Sequence, residues 1–153
     1  MSIEAPVSSY KKNTNKILIV FLLAVGIYSI YDGYYNTKFI EKHKDAQGNP
    51  DSTLVFNQKG PPFLIGGAVL LGIHLFLMRN KKVIAGDDGI LVDGKQKVLY
   101  SSIESLDKTY FEKKGYFVIS YKAEGGGSGE LKLSDRTYDK LGLVLDEIVR
   151  KIS

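Results

Sequence analysis

The 153-residue chain contains no cysteine. Disulfide scaffolds, cysteine-based zinc sites, thiol nucleophiles and cysteine-ligated iron–sulfur clusters are therefore excluded. Histidine occurs twice and arginine three times. Two histidines do not make a histidine-rich metal centre, and three arginines do not make an arginine stripe. The formal net charge of +4 is spread evenly, with 7 basic against 5 acidic residues in 1–78 and 14 against 12 in 79–153. Neither half has the basic excess of a nucleic-acid binder, so no nucleic-acid partner is expected. The length admits one modest domain plus an anchor but not two full water-soluble domains.

What the chain does have is two apolar blocks in its first half. Residues 17–35 read ILIVFLLAVGIYSIYDGYY, without a charge from Ile17 to Tyr31. At 1.5 Å per residue, 19 helical residues reach about 28 Å, close to the hydrocarbon thickness of a bilayer. Residues 61–78 read PPFLIGGAVLLGIHLFLM and end against Arg79, Lys81 and Lys82. Pro61 and Pro62 suit a first helical turn, where a missing N–H costs nothing. Tyr28, Tyr31, Tyr34 and Tyr35 look like an interfacial aromatic belt, and these large residues replace the small ones that signal cleavage needs. Asp32 is expected to stay hydrated among headgroups. The two blocks together predict a transmembrane hairpin.

Lys11, Lys12, Lys16, Arg79, Lys81 and Lys82 flank the hairpin on its outer ends, against Lys38, Lys42, Lys44 and Lys59 between the helices. Six against four favours cytoplasmic N- and C-termini. Gly26, Gly67, Ala68 and Gly72 are candidate helix-packing positions, with Ala68 and Gly72 at small-xxx-small spacing. They suit packing within the hairpin or against another subunit. His74 is the one ionisable residue well inside a span, and one turn from its end it is expected to be neutral and bonded to a partner helix or to headgroup water. Residues 36–60 hold a strong turn signal at Gly48-Asn49-Pro50-Asp51. Phe39 to Lys44 are expected to prolong the first helix, Thr53 to Phe56 to be extended, and His43 to be solvated.

From Val83 the pattern changes to short strands with turn residues between them. Asp93-Gly94 is a type I′ hairpin signal. A strand is expected from Ser101 to Phe111, then a turn at Glu112–Gly115. Tyr116 to Lys122 alternates Phe117, Ile119 and Tyr121 on one face. Gly125 to Gly129 is a loop, and Glu130 to Leu133 a last strand. Ser134 or Thr137 is expected to cap a helix to Ile152, with Tyr138, Leu141, Leu145, Ile148 and Ile152 as its apolar stripe. Asp146–Arg150 and Glu147–Lys151 have the spacing of exposed ion pairs.

No motif in this half carries chemistry. GGGSG lacks the Gly-Lys-Ser/Thr ending of a phosphate loop. Asp87, Asp88 and Asp93 lack EF-hand spacing. Glu104 and Asp107, three apart in a strand, face opposite sides. Ser101, Ser102 and Ser105 have no histidine base nearby. Neither an enzyme nor a metal or cofactor is expected. Lys81, Lys82, Lys108, Lys113 and Lys114 are candidate contacts for anionic headgroups.

The stretches VIAGDDGILVDGKQKVLYSSIESLDK and GELKLSDRTYDKLGLVLDEIVRKI, following the basic residues after the second span, resemble the bacterial pleckstrin-homology-like (PH-like) domain family over residues 80–152. The resemblance implies a small antiparallel β-sandwich or partial barrel with a closing helix, often beside a transmembrane hairpin. It implies binding of lipids or proteins, or scaffolding of membrane complexes, and it carries over no catalytic residues. The strands counted after residue 82 fall short of the family's seven. The expectation is therefore an α+β membrane protein: flank 1–16, first span 17–35, loop 36–60, second span 61–78 and β domain 79–153. Its expected role is a non-enzymatic scaffold or accessory subunit, with membrane lipids and a membrane-protein partner or a second copy as partners. The alternative is an anionic-lipid sensor.

Overall fold

The computed structural model describes residues 2–153. Two compact units divide the chain: one holds the N-terminal residues to Lys12 and all from Leu77 onward, the other Asn13–Phe76.

The first unit begins with a strand that hydropathy does not reveal. β1 (Ile3–Pro6) pairs antiparallel with β2 (Lys82–Ala85), with Ala5 opposite Val83 and Pro6 opposite Lys82. Of the expected flank 1–16, residues 2–12 thus group with the β domain and 13–16 with the second unit. β3 (Gly89–Val92) and β4 (Gln96–Leu99) complete a four-stranded meander. Asp93 and Gly94 link β3 to β4, both at positive φ (53° and 69°), the backbone of a type I′ turn. Glycine takes this conformation without a Cβ penalty. After a 3₁₀ turn at Tyr100–Ser102, β5 (Ile103–Asp107), β6 (Tyr116–Lys122) and β7 (Ser128–Ser134) form a second, three-stranded meander. No ladder joins the two sheets among the described residues, so they are open and form no barrel.

β5 stops at Asp107, short of the expected Phe111. The Asp107 carboxylate accepts the Thr109 N–H at 3.0 Å and turns the chain. Phe111–Lys114 then form a single helical turn, α5 in chain order, where a plain turn was expected. β6 buries Phe117 and Ile119 in the expected alternation. The C-terminal helix, α6, spans Leu141–Ile152, and neither Ser134 nor Thr137 caps it. Residues 137–139 are taken up by the N-terminus instead: Ser8 N–H donates to the Thr137 carbonyl and Asp139 N–H to that of Pro6, both at 2.8 Å. Lys140, at φ 61°, then turns the chain into the helix.

α6 buries Leu141, Val144, Leu145 and Ile148, while Ile152 is exposed. Glu147 is buried too, at 5 % exposure, and pairs with Arg150 at 2.6 Å rather than with Lys151. One apolar cluster unites Leu141, Val144, Leu145 and Ile148 with Ala5, Val7, Met78, Val83, Ile90, Val98, Phe117, Ile119, Leu131 and Leu133. Its members come from both sheets, the helix and the N-terminal strand.

The second unit contains most of the two apolar helices. α1 runs from Ser9 to Ile30 and passes into a π-helical turn, Tyr31–Tyr35. The expected loop is largely helical, with α2 at Thr37–Lys42 and α3 at Ser52–Lys59, so Thr53–Phe56 is not extended. The Asp51 carboxylate, accepting the Leu54 N–H at 2.9 Å, caps α3 and directs this stretch into a helix. α4 covers Pro61–Met78. Ser9–Tyr35 and Pro61–Met78 are long and apolar enough to cross a membrane. Their apolar windows are only 22 % and 17 % buried, unlike the core helix of a water-soluble fold.

Candidate functional site

Polar contacts from distant parts of the chain meet at the N-terminal junction. Ser8 is the first residue of the α1 capping turn, its carbonyl accepting the Lys12 N–H. The first free N–H of the helix, at Ser9, donates to the Asp139 carboxylate at 2.8 Å, and the Ser9 hydroxyl donates to the same oxygen at 2.8 Å. A carboxylate at a helix N-terminus satisfies an orphan donor and complements the positive end of the macrodipole. These Ser9 bonds hold the Asp139 carboxyl below the usual carboxylate range. Next to it, Tyr138 pairs as a single bridge with Val7, and its hydroxyl donates to Asp93 at 3.0 Å. Burial, and then this bond to a carboxylate, push the Tyr138 phenol well above its ordinary value. The Lys81 ammonium lies 3.9 Å from Asp93 on its other oxygen. One turn, one strand and the stretch before α6 are thus joined where α1 begins.

The headgroup candidates do not converge on one surface. Lys81 pairs with Asp93, and Lys82 bonds Glu4 of β1 at 2.6 Å. Lys108 borders a groove of mixed charge with Glu112 and Asp146. Lys113 and Lys114 line a different groove, of about 320 Å³, with Tyr116, Lys132, Ser134 and Arg136. Lys132 and Arg136 were missed in the sequence because each stands alone among mixed charges. The β6–β7 pairing, Tyr116 opposite Ser134 and Val118 opposite Lys132, brings them to the α5 end of β6.

Family models, curated proteins and solved structures give no match to this chain. The geometry of its own side chains is therefore what bears on function.

In the hairpin, a Cβ on Gly26 would stand 3.2 Å from the Ile65 side chain, and one on Gly67 3.8 Å from Leu22. Ala68 is buried. These three residues lie on the inner side of the hairpin. Gly72, like Gly66, has nothing within 4 Å of where its Cβ would stand, so the Ala68–Gly72 pair does not pack as a unit within the chain. His74 is exposed on α4. Asp32 is not hydrated as expected: it is 3 % exposed, and Asn36 Nδ2 donates to it at 2.8 Å. Gly33 lies directly against α3, where a Cβ would meet the Asn57 carbonyl oxygen at 2.7 Å. Gln58 donates to the Gly33 carbonyl at 3.0 Å, and the Tyr34 hydroxyl to that of Gln58 at 2.9 Å. The loop thus folds back onto the end of the first helix. His43 is not simply solvated either. Its Nδ1 lies 2.6 Å from Asp51, and its ring packs 4.3 Å from that of Phe39. The Leu54 N–H, and after it His43, draw the Asp51 carboxyl below its ordinary range. Among the described residues no three histidine or acidic side chains gather as a metal-binding group.

Proposed function

We propose that this chain is a non-enzymatic, membrane-anchored PH-like module that serves as a scaffold or accessory subunit for protein partners in the membrane. The observation that carries this reading is the pairing of β1 with β2. The residues just before α1 and just after α4 are neighbouring strands of one sheet. Only Val7 and Ser8 separate β1 from α1, and only residues 79–81 separate α4 from β2, so short connections join the hairpin to its β domain, which suits a docking platform. The seven strands in two meanders closed by a helix, with β1 supplying a strand from the far side of the hairpin, support the PH-like assignment. The same pairing supports an even number of crossings, with both termini on one side, and the lysine and arginine count favours the cytoplasm. Gly72, open on α4, offers close backbone approach to a neighbouring helix in the bilayer.

The test is isolation from native membranes in mild detergent, native gel separation and mass spectrometry of the band. Migration with a defined set of larger proteins is the expected result. Migration alone would overturn the partner reading. The groove lined by Lys113, Lys114, Lys132 and Arg136 favours a second reading, contact of the β domain with anionic headgroups.

A further inference from the structure

We infer that the groove between α5, the start of β6 and the end of β7 is a binding site for a phosphate-monoester group. This deepens the headgroup-contact reading by naming the ligand chemistry, and it stands independently of the partner reading.

Among the described residues the groove is lined by four cationic side chains, Lys113, Lys114, Lys132 and Arg136, and by no acidic one. The other polar grooves differ. Lys108 shares its groove with Glu112 and Asp146, Lys95 and Lys97 share one with Glu124, and Lys97 borders another with Asp87 and Asp88. The chain has 21 basic and 17 acidic residues. Within residues 79–153, which hold 14 basic against 12 acidic residues, four of the basic ones meet in this one groove. Among the described residues none of the four takes part in an ion pair within 4 Å, whereas Lys81, Lys82, Lys122 and Arg150 all do. Asp135, between Ser134 and Arg136 in sequence, sets its carboxylate against Gly115.

Two of the ammonium groups are held in place. The Tyr110 and Tyr116 rings stack with centroids 5.6 Å apart and planes 23° from parallel. Lys132 Nζ lies 3.8 Å from the Tyr116 centroid, and Lys114 Nζ 4.8 Å from that of Tyr110. A cation over an aromatic face is oriented but keeps its N–H donors for another acceptor. Arg136 adds a planar fork that matches two phosphate oxygens, and the lysines add point charges. Ser134 and Tyr116 bring hydroxyls to the same walls. Several lysines, one arginine and hydroxyl donors suit a doubly charged phosphate better than a carboxylate, which has fewer oxygens to satisfy them.

Such a phosphate comes from a lipid headgroup or from a free phosphate compound. Chain connectivity favours the first source. Arg136 immediately precedes Thr137, whose carbonyl holds Ser8 at the start of α1. From Ser9, two helical turns carrying Lys11, Lys12 and Lys16 lead into the apolar run, about 12 Å of helix.

The test uses the full chain in neutral detergent, since a fragment beginning at residue 79 lacks β1. Native mass spectrometry counts bound phosphatidic acid against phosphatidylcholine, and calorimetry in the same detergent titrates inorganic pyrophosphate. Wild type is expected to prefer phosphatidic acid. Lys132→Gln with Arg136→Gln should weaken that binding roughly 30-fold, at about fivefold per cation near a charged surface. Lys113→Gln with Lys114→Gln should act in the same direction, and Lys95→Gln with Lys97→Gln, in a different groove, should not. Saturable binding of phosphatidic acid alone identifies a headgroup site; saturable pyrophosphate binding that displaces it identifies a site for free phosphate compounds. Equal loss in the control variant, or none in the groove variants, overturns the groove while leaving anionic-lipid contact standing. Absence of any preference for phosphatidic acid, together with no pyrophosphate binding, overturns both.

Discussion

Val7→Ala tests whether the N-terminus belongs to the β domain. Val7 is 2 % exposed in the common core and bridges Tyr138. The substitution removes two methyl groups from a packed site. At about 0.8 kcal/mol per buried carbon, with a further term for the cavity left behind, the loss is about 2 kcal/mol. For a unit of this size that lowers the melting temperature by about 10 °C. A residue in a solvated flank would change stability by no more than about 0.5 kcal/mol. The assay is thermal unfolding in detergent followed by the near-ultraviolet circular dichroism of the tyrosines. Glu4→Gln is the control, since its bond to Lys82 is between partly exposed side chains and such pairs are worth about 1 kcal/mol or less. A Val7→Ala melt within 2 °C of wild type, beside a cooperative wild-type transition, would refute the reasoning, because it would show that the first strand contributes no buried surface.

Because the chain has no cysteine, Glu4→Cys with Ile84→Cys gives a two-thiol reporter for the β1–β2 register. Facing residues in an antiparallel pair lie about 4.5–5.5 Å apart at Cα, within disulfide reach, whereas Glu4→Cys with Leu91→Cys spans two strand spacings, about 9.5 Å. Gel mobility under mild oxidation should show an intramolecular bond in the first pair only. Asp139→Asn should flatten the acid limb of stability. The folded-state pKa of Asp139 is depressed by Ser9, so its contribution is present above the unfolded value, near 4, and lost as pH falls through the folded one. Melting temperatures of both proteins from pH 7 to pH 2 check this, and parallel curves would contradict it. Gly33→Ala should raise hydrogen exchange in α3 and leave the β domain unchanged. The added methyl meets backbone 2.7 Å away, an overpacking cost of about 1–3 kcal/mol. Unchanged exchange across Ser52–Lys59 would count against the close approach.

The sequence alone determined the features with local causes. The two apolar helices follow from hydropathy, the Asp93-Gly94 turn from the backbone freedom those two residues allow, and β6 from an alternation readable in seven residues. The small basic excess of each half hid the groove, because its four cations lie on three separate stretches and meet only when α5, β6 and β7 pack. The β1 segment, Ile-Glu-Ala-Pro, is four residues long, carries a charge and a proline, and has no period to detect. Its partner, β2, lies more than 70 residues further on, beyond both apolar helices. Likewise nothing beside Asp139 in the chain signals its role: its carboxylate caps a helix that starts 130 residues earlier. Hydropathy and turn propensity are properties of neighbours along the chain. Strand pairing, long-range capping and the summing of like charges depend on which distant backbones meet in space, and for this protein only the tertiary structure decided that.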